Sequence, residues 1–275
     1  MIKSILAVVD NGSAASSFLK AAVAYAEAHD ATLEVAVLTP APMASPALAP
    51  FGALYVPEVV LMGEDAANVA AVETCLAGAE CLTQVFGFHD DVAWLAGDLR
   101  RSRQVADIIM MGAVETWTTP WLRRRVAQTL IRASGTPLLI LPKSGYFERV
   151  TRAVLGWKAS PEATRAMHAL TQFAVPGATI DVVTVGETLM QCERDHDAHA
   201  EVKRHLERHA FKAEGHWIVN DRKVEAETLA IYAKEKRADL IAIGGFAHSR
   251  MRDILLGGVT RDIVEHTDRP VLIVG

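Results

Sequence analysis

Residues 239–275, DLIAIGGFAHSRMRDILLGGVTRDIVEHTDRPVLIVG, and residues 107–142, DIIMMGAVETWTTPWLRRRVAQTLIRASGTPLLILP, are two copies of one pattern. Each runs from an apolar strand through a glycine turn and a loop into a helical segment, then into a second apolar strand. The chain openings repeat too. SILAVVDNGSAASSFLKAAVAYAEAHDATLEVAVL at the start corresponds to RAVLGWKASPEATRAMHALTQFAVPGATIDVVTV after residue 151. A self-repeating chain has to be read as two similar folding units before any motif is interpreted. Ser13 aligns with Ser160 and Pro137 with Pro270, so the offset between the copies shrinks along the chain. The first copy therefore carries an insertion. It is expected between Pro40 and Pro57, a Pro/Ala-rich stretch unsuited to a strand or a stable helix.

The strands of both copies, IIMMG, LIAIGG, PLLILP and PVLIVG, are unbroken apolar runs. Runs without polar alternation belong to strands buried on both faces, as in a parallel sheet covered by helices. Strands alternating with helical patterns imply right-handed βαβ units. The expected fold class is α/β, with two tandem, open, doubly wound parallel sheets. The polar break at Lys143-Ser144-Gly145 sets the expected domains at 1–145 and 146–275. Such sheets bind ligands outside the carboxyl ends of their strands, where strand order reverses. The turns at Asp10–Ser13 and Lys158–Ser160, and those at Gly112 and Gly244, are expected at that edge.

The bulk properties exclude several classes. A chain of 275 residues has room for two ordinary domains. A net charge of −5 gives no drive toward nucleic acid or an anionic membrane. No apolar run approaches the roughly 20 residues that span a bilayer. The opening MIKSILAVVD is too short in its apolar part for a secretory signal. Cys75, Cys81 and Cys192 show no CxxC spacing, which fits a reducing cytoplasm.

Both halves resemble universal stress protein (UspA-type) domains, and the chain resembles a tandem two-domain member. In the second half the resemblance rests on Gly244, His248-Ser249-Arg250, Arg252, Gly257-Gly258-Val259-Thr260-Arg261 and Arg269-Pro270-Val271-Leu272. In the first half it rests on the opening strand, Gly112 and Thr136-Pro137. It implies a five-stranded parallel sheet per domain, of the HUP type, and an internal pseudo-dimer paired through the last strands. In some members it also implies adenine nucleotide binding. Those members carry a glycine, two residues, a glycine, nine residues, then glycine and Ser or Thr. Glycines let backbone approach phosphate, and a helix N-terminus faces the anion. An Asp after the first strand contacts the nucleoside.

On that pattern Gly244 and Gly257 match. Ala247 stands for the second glycine, and Gly258 for the Ser or Thr, with Thr260 able to reach back. The Asp becomes Lys158, which cannot accept from a ribose hydroxyl but can bind phosphate. The resemblance thus places a nucleotide site at Gly244, Ala247, His248, Ser249, Arg250, Gly257, Gly258, Val259, Thr260 and Lys158. In the first half Asn11 holds the Asp position, with Asp10 one residue earlier. Arg124 and Arg125 fall where backbone should approach the ligand, so no nucleotide is expected there. Arg123, Arg124 and Arg125 are expected on a solvated helix face or against a partner domain. His248-Ser249-Arg250 either contacts phosphate or orders its loop.

Glu201, His205 and His209 recur every four residues and share one helix face, a spacing that admits a transition metal. The flanking Val202, Leu206 and Phe211 mark the buried stripe, so the histidines are expected in water and no metal is assigned. Asp195-His196-Asp197 is interpreted in the same way. Ser13 and Ser160 are expected helix N-caps, with Glu162 in a first turn. Trp117 and Trp121 are expected either to plug the first-half pocket, which requires both to be buried, or to pack at the domain interface. No GxSxG, HExxH, HxGH or KMSKS signature occurs, so no catalytic residue is assigned and at most a weak ATPase is expected. The sequence points to a cytoplasmic stress-response ligand-binding module. Its ligand is ATP or another adenine nucleotide, with Mg²⁺, in the second half. The alternative is a scaffold acting on an unknown protein partner, without nucleotide, as a monomer with an internal pseudo-dimer or as a homodimer.

Overall fold

The computed structural model describes residues 2–40, 58–90, 105–145, 147, 149–186, 188, 196–220, 225–245 and 268–275. The insertion expected between Pro40 and Pro57 falls almost wholly outside them. Contacts divide the chain into two compact units, residues 2–129 and residues 130–275.

The first unit contains β1 (Ser4–Val9), α1 (Ser16–Ala28), β2 (Thr32–Pro40), α2 (Glu58–Leu76), β3 (Thr83–Asp90) and β4 (Ile108–Met111). A 3-10 turn (Val114–Thr116) then leads into α3 (Pro120–Ala133), whose last turn belongs to the second unit. The strands run β3-β2-β1-β4, all parallel. In the second unit come β5 (Leu138–Ile140), β6 (Val150–Gly156), α4 (Pro161–Phe173), β7 (Ala174–Gly186), α5 (His196–Arg208) and β8 (Lys212–Val219). They are followed by α6 (Glu225–Glu235), β9 (Leu240–Gly244) and β10 (Val271–Val274). Here β8-β7-β6-β9-β10 is parallel throughout. The strand that closes the first repeat, β5, joins this unit by an antiparallel ladder to β10, with Leu139 opposite Leu272.

The apolar runs explain this order. Every residue of β4 and of β10 is buried, as their unalternated sequences require. The outermost strand β8 alternates instead: Ala213 is buried, while Lys212 and Glu214 are exposed. A strand with one solvated face and charged residues resists further pairing. In each repeat the first and fourth strands lie side by side, so the loops that leave their carboxyl ends are neighbours.

The helix starts differ between the repeats. Ser160 caps α4 as expected: its Oγ accepts from the Ala163 amide at 3.2 Å, with Pro161 and Glu162 in the first turn. Ser13 does not cap α1. The N-cap is Ala15, with no side-chain hydrogen bond, and Asn11 Oδ1 accepts from the Ala14 amide at 3.0 Å instead. An Asx-type turn at Asn11 delays the helix and leaves Ser13 exposed.

Leu272 is fully buried in the β5–β10–β9 ladder, and Ile231 is half exposed on α6. Leu272→Ala is expected to cost about 2–5 kcal/mol in urea unfolding. Ile231→Ala should stay within about 0.5 kcal/mol.

Candidate functional site

The carboxyl ends of the first and fourth strands form different surroundings in the two repeats. In the first repeat Asp10 ends β1 and is only 2% exposed. Its carboxylate accepts from the Thr118 amide at 3.1 Å, the Thr118 hydroxyl at 2.7 Å and the Thr119 amide at 2.7 Å. Buried carboxylates need such donors, and here the loop before α3 supplies them. Arg123, on the first turn of α3, is also only 2% exposed. Its Nε donates to the Gly112 carbonyl at 3.0 Å, at the end of β4. Trp117 is buried beside them. The first-repeat edge is thus closed by its own side chains.

Two sequence expectations change here. Arg123 is not on a solvated face; only Arg124 and Arg125 are exposed. The buried positions of α3 include Arg123, Ala127 and Ile131, so the fourfold spacing places Arg123 on the buried stripe. Trp117 is buried as expected, whereas Trp121 is 42% exposed and does not plug the pocket. It lies at the N-terminal end of α3, two residues before the inward-facing Arg123.

In the second repeat Lys158 lies just beyond β6 and is exposed. Gly244 ends β9. A Cβ added there would come within 2.7 Å of the Ala163 backbone nitrogen and 2.8 Å of the Glu162 carbonyl carbon. Glycine is required by the close approach of the first turn of α4. Lys158 and Gly244 therefore share one edge, as adjacent β6 and β9 dictate. Ala247, His248, Ser249, Arg250, Gly257, Gly258, Val259 and Thr260 lie outside the described residues.

Two polar groupings are not indicated by the sequence, and a third is indicated only through Glu201 and His205. Asp181, fully buried in β7, is held by Arg152 Nε at 2.9 Å and Nη2 at 3.0 Å. His216 Nε2 lies 3.5 Å from Asp181 and 3.7 Å from Glu214, and its ring packs against Tyr232 of α6. Burial, then the Asp181 charge, pushes the Tyr232 phenol far above its ordinary range. Asp181, Glu214 and His216 bring ligand-type atoms within 4.8 Å of one another. However, the Arg152 guanidinium already fills the cation's place on both Asp181 oxygens.

On the other face of the sheet, His199 is buried and shares a 2.7 Å hydrogen bond with Thr184. The Thr184 hydroxyl donates to the Trp157 carbonyl at 2.7 Å. A hydroxyl has one proton, so His199 Nε2 is the donor to Thr184. His199 also stacks on Trp217 at 4.4 Å. The sequence signal for this histidine is its spacing of three and seven from the buried Val202 and Leu206.

The third grouping lines a cavity of about 550 Å³ between α4 and α5, whose walls include Trp157, Ser160, His168, Glu201, His205 and Arg208. Val202, Leu206 and Phe211 are buried as expected, and His209 is exposed. His205 departs from expectation: it is half buried, edge-on to His168 at 5.0 Å between ring centroids. Desolvation, then His209, His168 and Arg208, hold its imidazole below the ordinary range.

Comparison with known proteins bears on the whole chain. The sequence model of the Universal stress protein family matches residues 1–142 and again residues 150–275. A universal stress protein of Synechocystis sp. is 26% identical over 149 residues, 53% of this chain and 49% of that protein. The chain spans about half the length of the curated relatives it matches. A solved universal stress protein of Archaeoglobus fulgidus superposes with a TM-score of 0.63 at 14% identity, covering 98% of this chain and 97% of that one. A solved universal stress protein of Pseudomonas aeruginosa gives 0.58 at 16% identity, covering 99% and 93%. At such identities the likeness concerns the fold.

Asp10→Ala should unpair the Thr118 and Thr119 amides and lower stability by about 1–3 kcal/mol in chemical unfolding. Lys158→Ala, at an exposed position of the second-repeat edge, should shift it by less than about 0.5 kcal/mol.

Proposed function

Because the chain belongs to the universal stress protein family, we propose that it works as a stress-response module that binds an adenine nucleotide in its second repeat. ATP or a relative, with Mg²⁺, would lie at the carboxyl ends of β6 and β9. The observation that carries this reading is the contrast between the two edges. Asp10, Arg123 and Trp117 are buried into the first edge, while the second presents an exposed Lys158 beside Gly244. An ammonium at a strand-to-helix turn suits phosphate as a point charge. The loop that follows Gly244 carries Gly257 and Gly258, whose backbone amides suit the same anion. Ala247, His248, Ser249, Arg250, Val259 and Thr260 complete the proposed contacts.

No constellation of nucleophile and base stands among the described residues of this edge, so turnover, if it occurs, is a weak ATPase. No described helix is long and apolar enough to cross a membrane. We place the protein in the cytoplasm, as a monomer whose repeats pair internally or as a homodimer, with domains at 1–145 and 146–275. A scaffold reading, in which an unknown protein partner replaces the nucleotide, has one observation in its favour. The bare side of Gly244 already faces Glu162 and Ala163 of α4, so packing alone accounts for this glycine.

Calorimetric titration with ATP and Mg²⁺ separates the two. Binding of one nucleotide per chain, abolished by Gly257→Arg and weakened by Lys158→Glu, is the expected result. Absence of heat at millimolar nucleotide, with none co-purifying by mass spectrometry, would establish the scaffold reading.

A further inference from the structure

The groove between α4 and α5 gathers three imidazoles that neither the sheet edge nor the core uses. His205 stands on α5, His209 lies in the turn just beyond its end, and His168 comes from α4. The His168 and His205 rings are 5.0 Å apart between centroids, and those of His205 and His209 are 4.7 Å apart. Two imidazoles on one tetrahedral ion, with metal–nitrogen bonds of about 2.0–2.1 Å, place their centroids roughly 5 Å apart. The observed spacings match that distance on both sides of His205. His205 Nε2 is buried and has no hydrogen-bond partner, a condition that native structures rarely leave unmet.

The geometry points to a transition-metal site at the α4–α5 groove, with His205 and His168 from its walls and His209, from the turn after α5, as the third ligand. Imidazole-rich sets suit Zn²⁺, Ni²⁺ and Cu²⁺ over Mg²⁺ or Ca²⁺, which prefer oxygen ligands. Glu201 lies four residues before His205 and lines the same cavity, so its carboxylate is the fourth donor within reach of this face. It also offsets Arg204 and Arg208, which share the rim and oppose a dication. The ring nitrogens do not yet converge on one point as the Asp181, Glu214 and His216 atoms do. His168 and His209 are exposed and can rotate to close the set. An ion held there would tie α4 to α5. The groove adjoins the proposed nucleotide edge, since Trp157, Ala159 and Ser160 also line it, but none of the proposed metal ligands is among the proposed nucleotide contacts.

The test uses the full chain, metal-stripped, titrated with Co²⁺ alone and followed by its visible ligand-field absorption. One Co²⁺ per chain with a tetrahedral spectrum, displaced by Zn²⁺, is expected. His205→Ala should weaken binding by roughly tenfold or more, since even outer-shell changes cost that much. His168→Ala, at an exposed position that leaves the fold intact, should do the same. Zn²⁺ should raise the melting temperature of the native chain but not of either variant. The proposal is overturned if the native chain gives no ligand-field band. It is equally overturned if both variants bind Co²⁺ as the native chain does, or if His196→Ala alone removes binding.

Discussion

The pairing of β1 with β4, and of β6 with β9, governs where chemistry can occur in this molecule. These central strands are buried on both faces, so they tolerate no polar side chain along most of their length. Polar groups of these strands gather at their ends, where backbone emerges into loops. Strand order reverses between the paired strands, so two loops from distant parts of the sequence open next to each other. Lys158 and Gly244 meet for this reason, as do Asp10 and Gly112.

The two repeats use the same edge in opposite ways. Asp10 supplies a buried negative charge at the first edge, and the chain answers it locally with two amides and a hydroxyl from Thr118 and Thr119. That loop in turn sets the start of α3 and brings Arg123 over the Gly112 carbonyl. A buried arginine is costly unless its donors are met, so the arrangement holds together as a unit. Lys158 creates no such demand in the second repeat. Lys158 is exposed at this turn.

Much of this was legible in the sequence, because the strongest signals are the ones that burial enforces. Unalternated runs such as Ile108–Met111 and Val271–Val274 have few structural homes, and their repetition fixed the tandem α/β design. Ser160, Pro161 and Glu162 announce a helix start whose parts each have a physical reason. Ser13 failed because Asn11, two residues earlier, competes for the same turn with its own side chain. For the three consecutive arginines register carries more information than charge: Arg123 is in phase with the buried Ala127 and Ile131, whereas Arg124 and Arg125 are not. His199 was missed in the same way. A polar residue on an apolar stripe is buried when a partner waits across the interface, and Thr184 lies on β7, a different element from the helix of His199, where one-dimensional spacing cannot reach.

Helix α4 ties the second unit's features to one another. Its first turn, at Glu162 and Ala163, fills the place a side chain would take at Gly244. Arg165, one turn later, donates to the Gly275 carbonyl at 2.8 Å and to Glu162 at 3.1 Å, which anchors the helix to the end of β10. His168 follows on the same helix and faces His205 across the groove. Close packing transmits displacement instead of absorbing it. Helix α4 therefore borders both the strand edge, through Glu162 and Ala163, and the groove, through Thr164, Met167 and His168, so its packing against Gly244 fixes where the groove wall stands.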